Sequence, residues 1–519
     1  MNTDEIIQKS VSGAKWTVIL SILAMPLGYI VNIILGRISP EALGIYGLLN
    51  IFIVSITTFI LFGGGIVIIK YLPEIDKDKK VSFLLSYILI VFLIAIFAIG
   101  LIYLYPQILD FIFGQAIPSG ILPYLIIFIP IIILYFVFDY ALNGLMELKT
   151  SVVIRKIITY GNFVVFVTLF LFCKDFFREQ LWAIIWGLSF VFYIVLGLLA
   201  LFLTKKKMKI TSLNKKESRN YDCKCSWIDD VSQVLLYPFR ILPKLRNFKL
   251  YLPTKFWSFA LFVHLSTIVD FSCEKIDQLF ILSYFSIREL GLYYAALQTA
   301  MLIRFVPMLL GSVLLPTFSN LLASNEIKLI QKGYREVIRY NTLMIVPASL
   351  LCIFFSRQIM GIFGAAYVQN HLVLVVLGVS SMVCSMGGVN SSLIMAKGRT
   401  GVYLLTSIMQ AVFGFSLMFF LIGKLGVLGL AIGRGAGVVL AQVGLIFIVC
   451  KLLNMGIKIP RAYIISIFTA ILVSILYFVI HPTSIIISTI LFLSCLIFFL
   501  YFGGYSLKDV HFIFRQARR

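Results

Sequence analysis

The chain has 519 residues, 61% of them hydrophobic and only 13% charged, a composition that excludes a water-soluble globular domain. Apolar runs of about 20 residues, each long enough to cross ~30 Å of hydrocarbon, recur from end to end. The formal net charge of +22 would suit nucleic acid or anionic lipid, and where the cations sit decides between them. Fourteen apolar runs lie near 14–36, 44–70, 81–105, 120–146, 151–173, 181–203, 255–284, 291–322, 335–363, 370–396, 400–422, 426–450, 462–480 and 484–503. The expected fold is therefore an all-α polytopic membrane protein. The first run does not read as a cleaved signal, because Asp4 and Glu5 precede it, it is too long, and no small-residue cleavage site follows.

Most of the 44 Lys and Arg lie in alternate connections, on the same side as both termini, and a handful lie opposite. Lys275, Arg304 and Arg434 lie within spans. That asymmetry is the positive-inside pattern, so both termini are expected in the cytoplasm, the span number is even, and the charge meets membrane lipids rather than nucleic acid. The eight cysteines are scattered, and Cys223-Lys-Cys225 lacks the second ligand pair of a zinc site.

In chain order, a short polar lead-in over 1–13 opens into the first span, and the turn after it reads GRISPEALGIYG, 36–47. The turn after the seventh span, FSIRELGLY at 285–293, repeats ISPEALGIY at 38–46, 247 residues later. Independently, Asn143, Leu145 and Lys149 meet Asn390, Leu393 and Lys397 at nearly the same offset. Six spans separate the copies, so both enter the membrane in the same direction; parallel repeats of this kind are related by an axis along the membrane normal, with the substrate site between them. These features predict an N-lobe of spans one to six over 1–203 and a basic cytosolic linker over 204–254. A C-lobe of spans seven to twelve follows over 255–450, then spans thirteen and fourteen with a basic tail over 451–519. Within the linker, 228–242 is mixed apolar and polar, as in an interfacial segment. The connections on the opposite side are short, the longest lying around 106–120, and they leave no room for a catalytic domain.

The stretch Thr254 to Tyr293 is apolar enough for a membrane helix, yet it holds Asp270, Glu274, Lys275 and Asp277. An ionisable side chain at mid-bilayer costs about 2.5–3.5 kcal/mol on insertion scales, so four together require a cause. Asp270, Glu274 and Asp277 fall at i, i+4 and i+7, on one helical face that must meet a polar cavity or other helices. At a rise of ~1.5 Å per residue from the turn at 285, Asp277 lies roughly 12 Å deep, Glu274 roughly 16 Å and Asp270 roughly 22 Å. Arg304 in the eighth span lies roughly 20 Å deep, within reach of Asp270 or Glu274, and Arg434 in the twelfth is roughly level with Asp277. These charges either neutralise one another as buried pairs or line a wet cavity that binds an anionic headgroup and coupling cations.

The first span is neutral at the corresponding positions, Leu23, Leu27, Gly28 and Ile30. The polar marks of the first half are Asp139 and Asn143, i and i+4 on the fourth span, with Arg155 or Lys156 as candidate partners of the acid. His264, alone among apolar residues, reads as a core histidine. Gly429, Gly433 and Gly437 form a stripe for close helix packing. No Walker loop, dinucleotide fingerprint, HExxH or GxSxG motif is present, so no enzyme and no self-sufficient ATP-driven pump is expected.

The start GAKWTVILS, the turn GRISPEALGIYGL, the second span ending in GGGIVIIKYLPE and the six-plus-six-plus-two count of spans resemble the Wzx-type polysaccharide flippases. These belong to the multidrug/oligosaccharidyl-lipid/polysaccharide (MOP) exporter superfamily. The 204–254 connection is longer than that family usually carries. The resemblance implies two six-helix lobes that open alternately to either side of the membrane. It also implies a cargo of oligosaccharide on a polyprenyl phosphate or diphosphate, moved from the cytoplasmic to the external leaflet. The expected location is the cytoplasmic membrane of a prokaryote, with glycosyltransferases or a polymerase of the same pathway as partners.

Arg304, Arg434 and Lys275 are then the candidates for binding phosphate, which needs Arg or Lys in a low-dielectric cavity. Asp270, Glu274, Asp277 and Asp139 are the candidate cavity acids, for coupling to protons or sodium. No metal or other cofactor is expected. The alternatives are a cation-coupled multidrug antiporter of the MATE family, which calls for a cation-binding, mainly acidic cavity compatible with the seventh-span acids, and a lipid II flippase, which shares the fold. A sugar transporter of the major facilitator class fits less well, because its basic loop after the second span is not evident in KYLPEIDKDKK.

Overall fold

The computed structural model describes residues 3–105, 107, 122–145, 147–212, 250–323, 326–384, 387–452, 459 and 461–505. Every regular element among them is helical, as a bilayer demands, because a helix satisfies its backbone polar groups within its own segment. Thirteen helices are long and apolar enough to cross a membrane. Ile287–Ala323, a continuous helix of 37 residues, stands where the eighth span is expected and brings the set to fourteen. The sixth helix, Leu181–Ser212, runs past the expected end of its span, so the TKKKMK run continues it; Lys is a good helix former, and neither Gly nor Pro intervenes. Most of the 204–254 linker, with Cys223, Cys225 and 228–242, lies outside the described residues, as do most of 106–120 and the tail from 506.

Pro26, Pro130 and Pro347 remain inside continuous helices. Two spans, by contrast, are broken. The second divides into Pro40–Phe59 and Gly64–Glu74. Gly63 and Gly64 take φ of 77° and 55° at the join, a left-handed conformation that glycine adopts without a Cβ penalty. The Tyr87 hydroxyl donates to the freed carbonyl of Leu61 at 3.1 Å. The tenth span divides into His371–Val383 and Gly387–Ala396. There Tyr463 Oη donates to Val383 O at 2.7 Å and Ser466 Oγ to Met382 O at 3.1 Å, both from the thirteenth span, Arg461–Ile480. Carbonyls released by a break at membrane depth thus find side-chain donors, the condition under which such breaks are tolerated.

The chain forms two compact units, residues 1–31 with 48–271, and residues 32–47 with 272–519. In the first, Phe83, Tyr87 and Val91 of the third span are fully buried. In the second, Ile330, Tyr334 and Ile338 of the ninth span, each 247 residues later, are fully buried too. The same face of the same helix therefore builds the core of each unit. The core of the second unit continues through Val346, Leu350 and Ile353 onto Val473, Tyr477, Cys495 and Phe499, which places the thirteenth and fourteenth spans within it.

The second unit also contains the point where the repeat meets itself. A Cβ on Gly44 would collide with the carbonyl oxygen of Ile287, and a Cβ on Gly291 with that of Pro40. Pro40 and Gly44 correspond to Ile287 and Gly291 at the 247-residue offset. The contact is reciprocal, as at an isologous two-fold interface. Glu41 and its counterpart Arg288 form an ion pair across the same contact, 3.8 Å apart.

Candidate functional site

The seventh span, Phe256–Tyr284, is helical throughout, so its acids keep the spacing of one face. Their environments differ. Asp270 and Glu274 are exposed, whereas Asp277 is fully buried. Arg434 of the twelfth span, Val427–Leu452, brings Nη1 to 2.7 Å from Asp277 Oδ2 and donates also to Glu274 O at 2.9 Å. Tyr293, at the start of the eighth span, donates its hydroxyl to the same carboxylate oxygen at 2.5 Å. A buried carboxylate pays a large desolvation cost unless an opposite charge and charge-assisted hydrogen bonds compensate it, and both are present.

The glycine stripe beside Arg434 explains how a guanidinium reaches this depth with little clearance. A Cβ on Gly433 would stand 2.6 Å from Met418 Cγ, and one on Gly437 2.9 Å from Gln410 O, so the eleventh and twelfth spans touch backbone to backbone. On the adjacent face Gly435 admits Ser380 of the tenth span. Arg434 emerges between these contacts. Lys275 is buried at 7% exposure, within electrostatic reach of Glu274 and Asp277.

Arg304 does not complete the pairing that depth alone suggests. Its side chain is exposed, it lies beside Cys384, and among the described residues it forms no ion pair with Glu274. Depth fixes the height of a residue on its helix but leaves its azimuth open; Arg434, level with Asp277, meets that acid. Tyr293 escaped the sequence reading because tyrosine carries no formal charge. The signal was present, for Asp277 and Tyr293 stand eight residues either side of the turn at 285, at equal depth.

In the first unit Asp139 of the fourth span, Leu122–Gly144, is fully buried. Ser151 Oγ donates to its Oδ1 at 2.5 Å, and Arg155 Nε lies 3.5 Å from Oδ2. Asn143 Nδ2 donates to the Asp139 carbonyl at 3.2 Å. Of the two expected cations, Arg155 is the one that pairs. His264 packs against Phe62 at 5.0 Å between ring centroids, and its Nδ1 is buried without a hydrogen-bond partner among the described residues.

A family model described as "Polysaccharide biosynthesis protein" matches residues 226–370. An uncharacterized membrane protein of Methanocaldococcus jannaschii is 20% identical over 474 residues, 86% of this chain and 85% of its own. Among solved structures, the lipid II flippase MurJ in an inward closed conformation aligns over 97% of this chain and 99% of its own. Its TM-score is 0.64 at 14% identity. An inward-facing multidrug resistance transporter of the MATE family, of the MOP superfamily, aligns over 85% of this chain and 99% of its own. Its TM-score is 0.59, also at 14% identity.

The fold of the chain is the one these two transporter structures share.

Asp277 and Arg434 cancel, so neither presents a full charge to a cargo. Among the described residues Arg304 and Glu274 are exposed in the second unit and Asp270 in the first.

Proposed function

We propose that the chain is a flippase that moves an oligosaccharide linked to a polyprenyl phosphate or diphosphate from the cytoplasmic to the external leaflet. It does so by alternating access, in the assembly of a surface polysaccharide or glycan. The match to a polysaccharide biosynthesis model and the full-length likeness to a lipid-flipping structure support the reading. The observation that carries it against a multidrug antiporter is the closure of Asp277 by Arg434 and Tyr293, together with an exposed Arg304. An antiporter of cationic drugs calls for free acids, and here the most buried acid of the seventh span is consumed.

In this reading no covalent bond is made or broken, and the protein is not an enzyme. It resides in the cytoplasmic membrane of a prokaryote with both termini in the cytoplasm, and takes its cargo from glycosyltransferases or hands it to a polymerase. Asp270 and Glu274, exposed at i and i+4, supply proton or sodium coupling. The test is depletion of the chain in its host. Sugar-loaded polyprenyl lipid then accumulates on the cytoplasmic face. Unchanged carrier lipid with new drug sensitivity would replace the reading with an antiporter. A second reading, transport of lipid II itself, is favoured by the alignment to MurJ over nearly the whole chain; accumulation of peptidoglycan precursor in place of another glycan lipid distinguishes it.

A further inference from the structure

From Val337 to Lys508 the chain carries no Asp and no Glu. Arg434, within this stretch, takes its counter-charge from Asp277. Arg357 takes none: among the described residues it forms no ion pair, although its Nε is fully shielded from solvent and has no hydrogen-bond partner. Arg357 opens the short helix Ser356–Phe363 that follows the ninth span. Next to it, Ser356 Oγ shares a hydrogen bond with Tyr477 Oη at 3.0 Å, near the end of the thirteenth span, and Arg357 reaches the same hydroxyl; the Tyr477 ring lies 6.5 Å from that of His371, which opens the tenth. Three spans therefore converge on one half-buried cation at one end of the second unit.

Asn370 Nδ2 is a second buried donor without an acceptor, and its side chain does not cap the helix it precedes. Gln358 Oε1 is buried without a donor, and the amide rotated by half a turn presents its NH2 instead. Glu41, the carboxylate that reaches towards Tyr367 in the same region, is paired with Arg288. A guanidinium whose Nε is shielded and an orphaned amide donor, in a stretch without carboxylates, favour an anion over a cation. Leaving such donors unmet costs far more than meeting them. The planar guanidinium suits tetrahedral oxyanions in particular.

We infer that Arg357 and Asn370, beside Tyr477, form a phosphate-binding site, separate from the seventh-span charges and filled by a lipid headgroup phosphate or by free phosphate. On the orientation proposed above, this end faces the external leaflet; the binding itself does not depend on that orientation or on the cargo.

The full-length protein tests it in two arms. In detergent, its thermal unfolding midpoint is followed against inorganic phosphate, with chloride at equal ionic strength as control. In parallel, native mass spectrometry after reconstitution in phosphatidylglycerol vesicles counts retained lipid. Arg357→Gln should weaken whichever ligand binds by about tenfold or more, the scale of a hydrogen bond to a charged group, and Arg357→Lys should restore part of it. A saturable phosphate shift lost in the Gln variant identifies free phosphate. No phosphate shift, but one phosphatidylglycerol retained by the native protein and lost from the variant, identifies a headgroup. Equal behaviour of native and variant protein in both arms overturns the site. If Arg357→Gln does not fold, Asn370→Leu carries the same test, because it removes one donor and keeps the cation.

Discussion

Arg434 and Asp277 lie 157 residues apart in sequence and 2.7 Å apart in space, both shielded from solvent, with Nη1 of the guanidinium on Oδ2 of the carboxylate. A pair so placed is costly to break from one side and cheap to remove as a whole. Asp277→Asn or Arg434→Gln alone should destabilise the protein by about 3–5 kcal/mol, because each leaves its partner charged and buried. The double variant Asp277→Leu/Arg434→Met should recover most of that loss. Thermal unfolding in detergent across the double-mutant cycle measures the coupling. Additive single effects would show that the two side chains do not interact.

Tyr293 extends the same argument. Its hydroxyl shares Asp277 Oδ2 with Arg434, while Asp277 Oδ1 is buried without a partner among the described residues. Tyr293→Phe deletes one hydrogen bond to a charged acceptor and keeps the ring. The expected loss is about 1.5–3 kcal/mol of stability. Since the Arg434 pair remains, insertion and span topology should be unchanged, which cysteine accessibility on either side of the membrane checks.

Much of this arrangement was legible in the sequence. The fourteen runs, the 247-residue repeat, the charges of the seventh span and the depth match between Asp277 and Arg434 all follow from periodicity and rise per residue, which a bilayer enforces strictly. Three things were not. The breaks at Gly63 and after Val383 depend on donors from other helices, Tyr87, Tyr463 and Ser466, that no local pattern announces. The azimuth of Arg304 depends on helix rotation, which depth counting ignores. The hydroxyls of Tyr293 and Ser151 on the two buried acids carry no charge to mark them.

On the proposed reading, Arg304 is the cation that a cargo phosphate can use without dismantling the Asp277–Arg434 pair. Arg304→Ala should therefore lower transport while the protein accumulates and inserts normally, and Arg304→Lys should restore part of the activity. The measurement is carrier-lipid accumulation in cells set against protein level in the membrane. Loss of the protein itself, rescued by Glu274→Gln, would instead make Arg304 a structural counter-charge.

The reciprocal contact at Gly44 and Gly291 gives the most direct test of the repeat. A methyl group at either position would occupy the space of a carbonyl oxygen, that of Ile287 or of Pro40, and backbone cannot yield as a flexible side chain can. Gly291→Ala should push the start of the eighth span off the start of the second, and Gly44→Ala should do the same by symmetry. Glu41 and Arg288, already 3.8 Å apart, report the displacement. In a Glu41→Cys/Arg288→Cys background the two thiols should cross-link readily under mild oxidation. Adding Gly291→Ala should slow that cross-link by an order of magnitude or more, because a disulfide needs the Cα atoms within about 7 Å. Gly423→Ala serves as the control, since a Cβ there meets nothing within 4 Å. An unchanged cross-linking rate in both glycine variants would mean that the two helices are not in backbone contact, and that the repeat axis lies elsewhere.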